Sequence, residues 1–74
     1  MTEAEALKIA MRHMAPGSRF IKSAEYGNYF IFQINGPDPA EGDLDPFFSV
    51  HKTTGAFSDF SIVDGGPELL RQFV

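Results

Sequence analysis

Apolar positions along the chain fall first at helical spacing, then in alternation, then again at helical spacing. Leu7, Ala10, Met11 and Met14 form one helical stripe, the mark of an amphipathic helix. Thr2 followed three residues later by Glu5 is a capping box, which satisfies free N–H groups at a helix start. Pro16-Gly17 stops the pattern. A helix over residues 3–15 is predicted. Ile9 lies off the stripe, so it is either exposed or touches a second surface.

Phe20 to Tyr26 and Tyr29 to Asn35 read as two strands joined by Gly27-Asn28, a two-residue hairpin signal. The turn pairs Tyr26 with Tyr29, Ala24 with Ile31, and Ile21 with Ile34. Ile21, Phe30, Phe32 and Ile34 then share the more apolar face, expected to pack on the helix. Residues 36–46 (GPDPAEGDLDP) hold three prolines and two glycines and read as a solvated loop. Phe47 to Lys52 and Ala56 to Ile62 form a second hairpin through Thr53-Thr54-Gly55. A three-residue loop puts Phe48, Val50, Phe60 and Ile62 on one face. Phe47, Ser49, His51, Phe57, Asp59 and Ser61 go to the other. A slip of one residue would exchange the faces. Pro67 suits a first helical position. Glu68 to Phe73 can form a short C-terminal helix with Leu69, Leu70 and Phe73 as its apolar side.

The fold class that follows is α+β, two-layer. One N-terminal helix packs on a four-stranded antiparallel meander, with a short C-terminal helix as an option. A chain of 74 residues supports one domain, 1–74. Small domains bury a modest share of their surface. Most of the eight Phe and two Tyr must therefore be core.

Charge adds direction. Six Lys and Arg face ten Asp and Glu, a net charge of -4. Residues 1–35 carry four basic and three acidic groups, and residues 36–74 carry two and seven. An acidic chain is a poor binder of phosphate backbones, so nucleic acid is not the expected partner. A basic or neutral protein is. The absence of Cys excludes disulfides, zinc fingers and thiol nucleophiles. No apolar run approaches membrane-spanning length and nothing resembles a signal peptide. The expectation is a cytoplasmic protein with no membrane role.

Three segments carry a family likeness. They are the helix Ala4-Glu5-Ala6-Leu7-Lys8-Ile9-Ala10, the strand Tyr29-Phe30-Ile31-Phe32, and Phe48-Ser49-Val50-His51-Lys52-Thr53-Thr54-Gly55-Ala56-Phe57. Over residues 3–60 the chain resembles small bacterial domains of the YrhB-like, immunity protein 35 type, and the α-β-β-β half of PepSY-like domains. The acidic, proline-rich stretch at 36–46 departs from that pattern. The resemblance implies a non-enzymatic role, as an immunity protein that binds a toxin or as an inhibitory or accessory module. It brings no catalytic residues.

Candidate chemistry is sparse. Asp38, Glu41, Asp43 and Asp45 could meet a basic partner or bind Ca²⁺, but the alternating acids of an EF-hand are absent. Ser49, His51 and Asp59 are the residue types of a hydrolytic triad on one expected face. Ser49 and His51 stand two apart on one strand, a poor geometry for it. His13 and His51 lack the companions a metal site needs. Asp64-Gly65-Gly66-Pro67 opens a helix without the Lys and Ser or Thr of a phosphate loop. No enzyme activity, cofactor or metal is expected.

The outer sheet face holds Tyr26, Tyr29, Ile31, Phe47 and Phe57 in this register. A face this apolar is covered or used. Either the C-terminal segment folds over it, or it binds a protein or a second copy. Stacking of single-stranded nucleic acid is a further reading that the charge disfavours. The expected function is a small protein-binding domain of the immunity or inhibitor kind, contacting its partner through the outer sheet face and the acidic loop. The alternative is a self-associating structural or accessory protein of phage or prophage type.

Overall fold

The computed structural model describes residues 1–36 and 47–73. Helix α1 spans Glu3–Arg12. Strands β1 (Arg19–Tyr26), β2 (Tyr29–Asn35), β3 (Phe47–His51) and β4 (Phe57–Asp59) form one antiparallel sheet in the order β1-β2-β3-β4. A 3₁₀ turn over Ile62–Gly65 leads into helix α2, Gly66–Gln72. The expected α+β fold is present. Helix α1 covers one sheet face and the C-terminal segment covers the other.

The capping box forms. The Glu5 N–H donates to Thr2 Oγ1 at 3.2 Å, and the Thr2 N–H donates to Glu5 Oε1 at 3.4 Å. The helix ends at Arg12, three residues before the predicted end, with His13 as its cap. Pro16 disfavours helical backbone at the residue before it. The 3₁₀-type bond from the Met14 N–H to the Met11 carbonyl, 3.2 Å, tightens the exit.

Ala6 and Ala10 are fully buried under α1. Their small size lets the helix backbone approach the sheet, where Phe30, Phe32, Ile34 and Val50 fill the space. Ile9 touches a second surface, the β3–β4 turn. A Cβ built on Gly55 would lie 3.2 Å from Ile9 Cδ1 and 3.3 Å from Met1 Cε. Gly55 also has φ of +75°, which side chains other than glycine rarely tolerate.

Two register details differ from expectation. Tyr26 pairs Tyr29 and Ala24 pairs Ile31 as predicted, but Phe20, not Ile21, lies opposite Ile34. A β-bulge between Phe20 and Lys22 leaves Ile21 exposed and outside the ladder. The Phe20 ring takes the inner position and meets Phe32 edge-on, with centroids 6.2 Å apart. In the second hairpin the loop has four residues, Lys52 to Gly55. The His51 N–H donates to the Ala56 carbonyl and the Gly55 N–H to the His51 carbonyl. Val50 therefore pairs Phe57, and the slip of one residue exchanges the faces of β4. Phe57 lies on the α1 side, stacked between Phe48 and His13 at 5.4 and 4.4 Å. Phe60 goes to the outer side. Strand β4 ends at Asp59 because the chain turns into the cover that places Ile62 over the sheet.

On that outer side Ile62 and Leu69 pack on Ala24, Ile31 and Phe47, with Phe60 and Phe73 alongside. Leu70, expected on the apolar side of α2, is exposed. Gly65 is where the 3₁₀ turn meets α2, and a Cβ there would run into the Leu69 side chain.

Phe32 is fully buried between α1 and the sheet. Phe32→Ala is expected to cost about 3–5 kcal/mol in urea unfolding. Gly65→Ala is expected to lower stability by about 1–3 kcal/mol through overpacking against Leu69, with amide exchange speeding first in α2.

Candidate functional site

Covering both faces still leaves the outer side of the β1–β2 hairpin tip open. Tyr26 and Tyr29 flank Gly27-Asn28 and are cross-strand partners on the outer face. The left-handed conformation of Gly27, φ +56°, makes that tight turn. The tyrosines are 39% and 40% exposed. Their neighbours Ala24 and Ile31, further down the strands, are buried beneath α2 and Ile62.

Each tyrosine is held by a second ring. Phe60 meets Tyr26 edge-on at 5.8 Å, and His51 meets Tyr29 edge-on at 5.0 Å. His51 is itself fixed. Its Nδ1 accepts the Thr53 and Thr54 N–H groups at 3.1 and 3.2 Å, so the proton of the neutral ring sits on Nε2. On the reverse side the hairpin tip is tied to the β3–β4 turn. The Lys52 N–H donates to the Asn28 carbonyl at 2.8 Å, and Lys52 Nζ pairs with Glu25 Oε2 at 2.8 Å. The same ammonium lies 5.1 Å from the Phe30 ring centroid, a cation–π contact. The result is an aromatic edge on a braced backbone.

The other expected surface residues fall elsewhere. Ile31 is fully buried and Phe47 nearly so, under the C-terminal segment. Phe57 faces α1 through the register slip. Asp38, Glu41, Asp43 and Asp45 lie outside the described residues. Ser49, His51 and Asp59 are not brought together. Ser49 is buried with its hydroxyl 3.0 Å from that of Ser58. His51 is engaged in its turn, and Asp59 pairs with Phe48 on the α1 side. His13 stacks on Phe57 on that side too, away from His51. Among the described residues no three His, Cys, Asp or Glu side chains cluster to hold a metal ion. No helix among them is long and apolar enough to cross a membrane.

Sequence reasoning missed two members of this edge. The three-residue loop expected from the sequence sets Phe60 on the α1 face, and the four-residue loop turns it outward. His51 accepting from residues two and three ahead follows the offset of an Asx-turn, a signal present in His51-Lys52-Thr53-Thr54.

Scans against family models, curated proteins and solved structures return no match for this chain.

His51→Ala removes the acceptor for two amides, and His51→Asn restores one at a similar offset. The alanine variant is expected to lose about 0.5–1.5 kcal/mol and to speed exchange at the Thr53 and Thr54 amides. The asparagine variant is expected to recover most of that loss in the same measurement.

Proposed function

We propose that this chain is a small, non-enzymatic protein-binding domain of the immunity or inhibitor kind, whose partner docks on the aromatic tip of the outer sheet face. The observation that carries the reading is the Tyr26–Tyr29 pair, half-exposed and braced by Phe60 and His51. Tyrosine supplies a large, stiff contact area and loses little conformational entropy on binding. Such anchors carry most of the energy in protein interfaces. Bracing lowers the ordering cost further. The separation of Ser49, His51 and Asp59 supports a role without catalysis. The net charge of -4 favours a basic or neutral partner in the cytoplasm over nucleic acid. The resemblance of residues 3–60 to immunity-type domains points the same way.

The test is affinity capture from the native host with the wild-type chain and with a Tyr26→Ser/Tyr29→Ser variant. The captured protein is then titrated against both. The variant is expected to bind at least about 30-fold more weakly, with its thermal midpoint within a few degrees of wild type. Equal affinities would rule the aromatic tip out as the contact.

A further inference from the structure

The backbone bonds of the sheet determine which strand groups are already spent. The Lys52 N–H points to Asn28 in the β1–β2 turn, while the His51 N–H points to Ala56 across the other hairpin. Even-numbered residues of β3 thus face β2, and odd-numbered ones face β4. Val50 and Phe48 bond Phe30 and Phe32, their register partners. That leaves Tyr29, Ile31 and Gln33 to bond β1, where their partners are Tyr26, Ala24 and Lys22. Ser23 and Glu25 must therefore turn their N–H and C=O groups outward, along an edge of the sheet that no strand among the described residues pairs.

This edge is unlike the opposite one. Strand β1 has eight residues and β4 has three. Phe20, Ile21 and Tyr26, three of the exposed large apolar residues, all lie on β1. A row of outward N–H and C=O groups is a template for strand pairing. The bulge at Ile21 limits the regular stretch to Lys22–Tyr26. That stretch is self-complementary on its outer face, where the cation Lys22 stands at one end and the Tyr26 ring at the other.

We propose that two copies of this chain pair antiparallel through the edge of β1, centred on Ala24, to make one continuous sheet. Residues opposed across an antiparallel pair share a sheet face, which restricts the registers. Centring on Glu25 opposes two carboxylates, and centring on Ser23 sets the apolar Ile21 against a carboxylate. Centring on Ala24 joins the outward groups of Ser23 to those of the second copy's Glu25. It also sets each Lys22 beside the other copy's Tyr26 ring, a cation–π pairing made twice. The strand pair is shorter than a standard interface provides for, so association belongs to concentrated protein. This inference goes beyond the aromatic-tip reading, because it needs no second protein.

Amide exchange of the full chain, followed by NMR at low and high protein concentration beside light scattering, tests it. The Ser23 and Glu25 amides are expected to slow by about tenfold as the mass rises to that of a dimer. The Lys22, Ala24 and Tyr26 amides should be protected at both concentrations. A monomer throughout, or a dimer in which Ser23 and Glu25 still exchange fast, would overturn the proposal. Ser23→Pro removes one outward donor and leaves the ladder to β2 intact. It is expected to stay monomeric with its β2 amides protected. Ser23→Ala loses only the hydroxyl bond to Glu3 and should still dimerise. Dimerisation of the proline variant equal to wild type would also sink the idea, and the wild-type exchange rates decide the matter if that variant does not fold.

Discussion

Strand β2 is buried on both faces, and the rest of the structure answers to that. Phe30, Phe32 and Ile34 point to one side and Ile31 to the other, each almost without solvent contact. Strands buried on both sides read as near-continuous apolar runs, and Phe30-Ile31-Phe32 is such a run. A chain of 74 residues must then cover two sheet faces with very little material. It uses a ten-residue helix for one and a 3₁₀ turn with a seven-residue helix for the other.

The two covers work differently. Helix α1 presents alanines, so its backbone comes close and the sheet's own rings fill the gap. Its far end is fastened by His13, whose ring lies 2° from parallel to Phe57. Helix α2 instead sends down Leu69, and Ile62 precedes it in the turn. Gly65 has no room for a side chain because Leu69 packs against it. The slip in the second hairpin serves both covers. It hands Phe57 to the α1 side and Phe60 to the outer side, an exchange that leaves one of the two rings on each face.

Element order, the capping box, the first hairpin and the inner face of β2 were legible because local chemistry decides them. Thr2 and Glu5 are near neighbours, and Gly27-Asn28 admits few turns. What was not legible depends on distant residues. Either Phe20 or Ile21 could stand opposite Ile34 by pattern, and the approach of Phe20 to Phe32 selects the bulge. The length of the second loop depends on His51 accepting two amides and on Phe57 finding His13, which is 44 positions earlier in the chain. The expected site residues divide for the same reason. Tyr26 and Tyr29 are tied to a local turn and keep their place. Ile31 and Phe47 disappear under a segment that begins after β4, and Phe57 changes side with the register.

The aromatic surplus in the composition then has a bounded meaning. Most of the ten Phe and Tyr side chains are needed to fill two thin layers. A ring on the surface matters only where the fold had the means to cover it and did not. Helix α2 reaches Ala24 and Ile31 but not the next outer-face pair along the same strands, Tyr26 and Tyr29. At that pair the fold adds bracing instead of cover. Phe60 and His51 fix the rings, and Lys52 ties the turn beneath them to Glu25, Asn28 and the Phe30 ring. Contacts of this kind cost side-chain freedom during folding. Having lost it already, the rings lose less when a partner docks. That argument favours the hairpin tip as a contact surface over exposed aliphatic positions such as Val63 and Leu70, which have no ring to brace.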